Sequence, residues 1–353
     1  MTIINSPKQI LLTGGAGFIG SNIVKILQQR YPSTRLRILH LPQENLLNLE
    51  GLQNLELMSG DITHTNDVAR AVSGCDVVFH LAAIYAFWLP DMSIMDRVNV
   101  GGTRILMEEC LKQKVKRVVY TSSMVCFTGQ GLDKVSDETS PFSMGNMVYA
   151  RSKHDSHIIA ENYAKKGLDV VIVCHALPMG PGDVGPTPTG RMVIDIFRFP
   201  IPLAVDSEVN IIDVRDCAMG HVLAMEKGRT GESYILGGEN YTYTDMLRRV
   251  LRICAVKNRI LHLPEFALRG VAIAMTASAP FTKIPPMITT NEIDMAKQGI
   301  IANAAKARNE LGLTVRPLEQ TLHDALEWFV HNGYIKKVAV VKRFRKKSNL
   351  EIS

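Results

Sequence analysis

One short segment near the start constrains this chain more than any other: an apolar run that ends in spaced glycines. Gln9-Ile10-Leu11-Leu12-Thr13 reads as a buried strand and Phe18 to Gln29 as a helix, with Gly14, Gly17 and Gly20 at the junction. Glycines at that spacing permit a tight turn, a close approach of backbone to a pyrophosphate, and close helix–strand packing. The free N–H groups of the new helix then face the anion. The strand before and the helix after separate this loop from an ordinary glycine-rich turn.

Such a unit needs parallel neighbours, and they are legible. Arg35 to His40, Leu55 to Ser59, Asp76 to Leu81 and Arg117 to Ser122 read as strands. Asn66 to Val72 and Met95 to Gln113 read as helices between them, and Tyr149 to Lys165 as a helix before the strand Asp169 to Cys174. This alternation predicts an α/β fold, a Rossmann doubly wound parallel sheet covered on both faces. Past Leu177 the regularity ends, because Pro178, Gly180, Pro181, Gly182, Gly185, Pro186, Pro188 and Gly190 exclude a continuous helix or central strand. Helical patterns resume at 243–253, 264–279 and 318–331. The expected division is an NAD(P)-binding domain over 1–177 with returning segments near 210–236, a smaller C-terminal substrate-binding lobe over most of 178–335, and a basic tail over 336–353.

The formal net charge is +6, which invites a nucleic-acid reading until its location is considered. Lys336, Lys337, Lys342, Arg343, Arg345, Lys346 and Lys347 stand against Glu351 alone, so the tail carries the whole excess. The neutral body gives no electrostatic reason to expect nucleic acid. Val338, Ala339, Val340, Val341 and Phe344 lie among those cations. The tail then reads either as a solvated, disordered extension or as a reversible peripheral membrane contact whose apolar residues dip into the interface. The six cysteines are scattered with no C-x-x-C pair, which suits buried reduced thiols in a cytoplasmic protein, and no metal site is expected. Met1 to Gln9 lacks the basic-then-apolar order of a secretory signal. Phe266 to Ala279, interrupted by Arg269, falls short of the ~20 apolar residues of a membrane span.

A second constellation carries chemistry. Tyr149 and Lys153 stand four residues apart, on one face of a helix. An ammonium beside a phenol favours the phenolate, drawing a pKa of about 10 toward the range of a working acid–base group. Upstream, Thr121-Ser122-Ser123 ends a strand in hydroxyls able to hold a carbonyl. Order and spacing resemble the extended short-chain dehydrogenase/reductase family, of the NAD-dependent epimerase/dehydratase type, over about residues 8–335. Gly60-Asp61-Ile62, His80-Leu81-Ala82-Ala83 and Asn99 match further segments of that family.

The resemblance implies NAD(P) as cofactor, held by Gly14, Gly17, Phe18, Ile19, Gly20, His40, Asp61, Ile62, Leu81, Ala82, Ala83, Asn99, Thr121, Tyr149, Lys153 and Pro178. It implies Tyr149 as proton donor or acceptor, Lys153 on the nicotinamide ribose, and Ser123 polarising the carbonyl. His40 and Leu41 stand where an acid or an arginine would choose between NAD and NADP, so that choice stays open. Asn99 can equally brace its helix, Ser122 serve as a strand-end hydroxyl, and His80 pack in its turn. Members of the family often pair through two long helices, here 95–113 and 149–165, which implies a homodimer.

The family spans ketone reductases, hydroxysteroid-type dehydrogenases, sugar epimerases and sugar dehydratases. Dehydratases place an Asp-Glu pair after the catalytic hydroxyl, whereas Met124-Val125 follow Ser123. Nucleotide-sugar members generally carry an asparagine where Leu177 stands, and many reductases have proline where His175 stands. Ile84-Tyr85-Ala86-Phe87-Trp88-Leu89 adds aromatic surface near the expected nicotinamide. Tyr85, Phe87, Trp88, Met124, Leu177 and Arg191 are the candidate substrate contacts. The expected activity is an NAD(P)-dependent oxidoreductase interconverting a secondary alcohol and a ketone on a hydrophobic small molecule, lipid-, steroid- or polyketide-like, as in dihydroflavonol reductases and 3-beta-hydroxysteroid dehydrogenases. The alternative is an NAD-dependent sugar epimerase of lipid-linked metabolism. Gly185-Pro186-Thr187-Pro188-Thr189-Gly190-Arg191 and Leu236-Gly237-Gly238-Glu239-Asn240 keep it open through their similarity to hopanoid-associated sugar epimerases. A cofactor-binding protein without turnover is a third reading, which the intact Ser123, Tyr149 and Lys153 disfavour.

Overall fold

The computed structural model describes residues 6–128, 130–198, 201–204, 207–257, 259–283, 285–336, 340–341 and 343–344. β1 (Gln9–Thr13) enters the glycine loop and α1 (Phe18–Arg30) leaves it, followed by β2 (Arg35–His40), β3 (Leu55–Ser59), α2 (Thr65–Val72) and β4 (Val77–His80). A short α3 (Ser93–Met95) continues through a π-helical stretch, Asp96–Gly102, into α4 (Thr103–Lys112), which leads to β5 (Arg117–Ser123). Then come α5 (Val148–Lys165), β6 (Val170–His175), β7 (Leu177–Met179), α6 (Pro188–Asp195), β8 (Leu203–Ala204), β9 (Glu208–Asp213), α7 (Val214–Lys227) and β10 (Ser233–Leu236). The remainder is β11 (Glu239–Thr242), α8 (Tyr243–Ile253), β12 (Leu261–His262), α9 (Glu265–Thr282), α10 (Thr290–Gln298) and α11 (Leu318–His331).

The main sheet runs β10-β6-β5-β4-β1-β2-β3, with every neighbouring pair parallel. Its central strands are buried on both faces: Ile10, Leu11, Leu12, Val77, Val78, Phe79, Val118, Val119 and Val170 to Val173 expose nothing. That double burial is why they read as continuous apolar runs and not as alternation. The strand order reverses direction between β1 and β4, and such a switch point opens a crevice at the carboxyl ends of the strands. All six cysteines are buried. Among the described residues no helix is long and apolar enough to cross a membrane.

The later residues form a second layer, a sheet β11-β9-β7 with β7 parallel and β11 antiparallel to β9. Its core gathers Val193, Leu247, Val250, Leu322, Leu326 and Phe329, and also Val340 and Phe344. This corrects the reading of the tail as a solvated or membrane-dipping extension at those two positions, because they are 0% and 1% exposed. They share that core with Leu247 and Val250 of α8 and Leu322 and Leu326 of α11, and burial of a side chain like Phe344 is worth about 1.5–3 kcal/mol over leaving it in water. Lys337, Val338, Ala339, Lys342, Arg345, Lys346, Lys347 and Glu351, also named for the tail, lie outside the described residues.

Candidate active site

The glycine loop closes exactly where its spacing predicts a close approach. Gly14 has φ 72°, and a Cβ there would lie 2.9 Å from the Ala82 nitrogen. A Cβ on Gly20 would lie 2.2 Å from the Gly14 carbonyl oxygen. α1 has no side-chain cap and no acidic residue in its first turn. The amides of Phe18, Ile19 and Gly20 are therefore orphan donors at a positive helix end, and they fit the pyrophosphate of a dinucleotide. Asn48, which no sequence pattern flags, donates to the Ala16 carbonyl at 3.4 Å and the Gly182 carbonyl at 3.0 Å, tying this loop to the segment after β7.

At the adenosine side, His40 ends β2 with Nδ1 2.9 Å from the Leu41 carbonyl. Arg37 faces away: it pairs with Glu56 at 3.0 Å and donates to carbonyls at the end of α2. Asp61 accepts from the backbone and hydroxyl of Thr63, both at 2.8 Å, and Ile62 is buried under Gly102.

The segment after β4 is pinned at several points. Leu81 donates its N–H to the Thr13 carbonyl at 3.0 Å, and Ala82 donates to the Thr13 hydroxyl at 3.3 Å, while Ala83 is exposed. Asn99 accepts from the Ile84 N–H at 2.7 Å and donates to the Ile84 carbonyl at 3.1 Å and the Ser152 hydroxyl at 3.0 Å. Ser152 in turn donates to the Tyr149 carbonyl at 2.8 Å. The Asn99 amide is thus occupied by protein partners, and it clamps the post-β4 segment to the helix that bears Tyr149 and Lys153. His80 bridges the hydroxyls of Thr13 and Thr103 at 2.8 and 3.0 Å. Burial, helped by the Lys153 charge, pushes its pKa down to about 3, so it is a neutral packing residue.

Ser123, Tyr149 and Lys153 come together at the carboxyl end of β5, each nearly buried. Lys153 Nζ donates to the Thr121 carbonyl at 2.8 Å and lies 5.3 Å from the centre of the Tyr120 ring. Burial draws its ammonium down to about 8, against Cys126 and Cys174. Burial also holds the Tyr149 phenol above its ordinary range, against the opposing pull of a hydrogen bond with Ser123. The expected lowering by the Lys153 ammonium does not appear: burial raises the phenol, and the group that draws it down is Ser123. The Thr121 hydroxyl is paired with His221 at 3.2 Å, and Ser122 faces His157 at 2.9 Å, away from the site.

A narrow cavity of about 20 Å³, room for about one water, lies between these groups. Tyr85, Ser123, Met124, Val125, Tyr149, His175, Ala176, Leu177, Pro178, Met295 and Ile300 line it. The Tyr85 ring packs 4.7 Å from that of Tyr149, and Phe87 stands edge-on at 6.4 Å. Trp88 and Arg191 are not among the lining residues, and Arg191 is exposed, with Nε donating to the Pro186 carbonyl at 3.1 Å. Met295 and Ile300 reach the cavity from a distant part of the chain that carries no local motif. His175, pushed by burial to about 4, is neutral and donates from Nδ1 to the Ala176 carbonyl at 2.8 Å. His323, Asp324 and Glu327 cluster on α11, where Asp324 is paired with Arg215 at 2.7 Å.

Comparison with known proteins places this geometry. The model of the NAD dependent epimerase/dehydratase family matches residues 10–237. A Synechocystis sp. protein provisionally named a dihydroflavonol 4-reductase is 35% identical, over 92% of this chain and 95% of its own length. Sterol demethylase protein B of Methylococcus capsulatus is 31% identical, over 92% and 99% respectively. The solved structure of gox2253 superposes with a TM-score of 0.81 at 36% identity, covering 93% of this chain and all of the other. The chain belongs to the NAD dependent epimerase/dehydratase family and is an NAD(P)-dependent enzyme of the extended short-chain dehydrogenase/reductase type.

Proposed function

We propose that the chain interconverts a secondary alcohol and a ketone on a hydrophobic small molecule. One observation carries this: among the described residues no Lys, Arg, Asp or Glu lines the cavity beside Ser123 and Tyr149, whose other walls, apart from the neutral His175, are apolar or aromatic. A diphosphate would leave its charge unpaired there, whereas a lipid- or steroid-like carbonyl compound would not. The relatives named for sterol and flavonol chemistry agree with that reading.

The nicotinamide cofactor, when bound, supplies the hydride. The Ser123 hydroxyl is placed to donate to a carbonyl oxygen, and Tyr149, protonated at neutral pH, is the proton donor to that oxygen. Lys153, with its pKa near 8, exchanges protons in the working range and holds the carboxyl end of β5 to α5. We also propose a homodimer formed through α4 and α5, to be read by light scattering.

The test is a screen of ketones and secondary alcohols with NADH and NADPH in parallel. Stoichiometric cofactor consumption with an apolar substrate is expected. Purified protein that carries tightly held oxidised cofactor, epimerises a sugar and shows no net change in nicotinamide absorbance would give the function to the epimerase.

A further inference from the structure

Helix α9 turns an apolar face outward. Phe266, Ile273 and Phe281 are 78%, 59% and 87% exposed, and at helical spacing they fall in one stripe with Gly270 and Ala277. No charged residue occurs from Gly270 through Thr282. The other side of the helix is already committed: Leu268 and Ala272 pack on Ile293 of α10, and Arg269 pairs with Glu265 and Asp294. An ordinary surface helix is polar on its outer face, so a stripe of this kind marks a contact.

Cations flank it along the chain on both sides. Upstream, Arg252, Lys257 and Arg259 are exposed and form no ion pair with a described residue, and Arg248, Arg252, Arg259 and His262 line one surface hollow beside exposed Leu261. Downstream, Lys283 follows the helix in a left-handed conformation.

We propose that α9 and its basic rim form a docking surface for an anionic lipid bilayer, with the helix lying in the plane of the interface. Phenyl and isobutyl-sized groups enter the boundary region while guanidinium and ammonium groups meet lipid phosphates. A second copy of the chain fits less well. A two-fold pairing sets the patch against itself, and with both ends basic, either orientation brings like charges together. α9 packs on α10, which supplies Met295 to the cavity wall, so the docked face lies one helix away from the site. The inference goes beyond the apolar-substrate reading and does not depend on it.

The experiment floats the full-length protein with phosphatidylcholine vesicles and with mixed phosphatidylcholine/phosphatidylserine vesicles, at low and high salt. Flotation is expected with the anionic vesicles at low salt and is expected to weaken at high salt. Phe266→Ser/Phe281→Ser and, separately, Arg252→Glu/Arg259→Glu should each weaken it by about tenfold or more. A chain ending at Phe344 should float as the full chain does. Circular dichroism and turnover of a dispersed substrate should be unchanged in all of them, since none touches the cavity. Equal flotation of the phenylalanine variant, loss of flotation in the shortened chain, or no flotation with a halved mass for the phenylalanine variant would each overturn the proposal, the last in favour of a second copy.

Discussion

Tyr149→Phe removes one oxygen from a ring packed against Tyr85 and Phe87 and leaves the glycine loop untouched. Turnover should fall by about 10²–10⁴, the usual worth of a positioned proton donor, while cofactor affinity, measured by fluorescence titration, stays near that of the parent. A second residue-scale outcome concerns acid. Burial holds His80 and His221 at about 3 and His175 at about 4, against 6.5 for a free imidazole. Between those limits the unfolded chain binds more protons at these three sites than the folded one, so the stability they contribute is full above 6.5 and is lost as pH falls through the window. Melting temperature should decline on acidification, and His221→Gln should make the decline shallower; a flat profile would contradict the buried neutral assignment. The meeting of Ser123, Tyr149 and Lys153 is legible in the spacing, because a helix turn and a strand end fix where those side chains lie. Met295 and Ile300 are not, since the fold of a whole lobe decides their place. Trp88 does not line the cavity, and aromatic composition carries no information about direction.

At the scale of elements, the clamp made by Asn99 is the most vulnerable joint. Asn99→Leu leaves the Ile84 N–H and carbonyl and the Ser152 hydroxyl without their partner, which should cost about 1–3 kcal/mol in chemical denaturation. The turnover number should fall as α5 loosens against the post-β4 segment, more than the Michaelis constant for cofactor rises. Gly20→Ala acts elsewhere: its Cβ would meet the Gly14 carbonyl, pushing the loop out of shape. Cofactor affinity should drop by about tenfold or more, equivalent to 1.4 kcal/mol or more, by calorimetry. The central parallel strands, β1, β4, β5 and β6, were legible because two-sided burial writes unbroken apolar runs. β7, β8 and β12 were not, since two or three residues cannot show a period. The π-helical stretch at Asp96–Gly102 also read as plain helix.

For the whole molecule, the informative boundary is the end of the chain. Removal of everything after Lys336 takes Val340 and Phe344 out of the lobe core. Loss of a buried phenylalanine alone costs about 3–5 kcal/mol, so the shortened protein should unfold at clearly lower denaturant, while a chain ending at Phe344 should match the full one. Composition hid this, because seven cations around those side chains looked like solvent-facing sequence. The plug also sets a timetable for synthesis. Val340 and Phe344 are made after every other residue of that core, so a nascent chain carries its seven-stranded sheet well before it can complete this core. In that interval the apolar residues of α8 and α11 lack two of their partners, and such uncovered surface is what nascent-chain holdases bind.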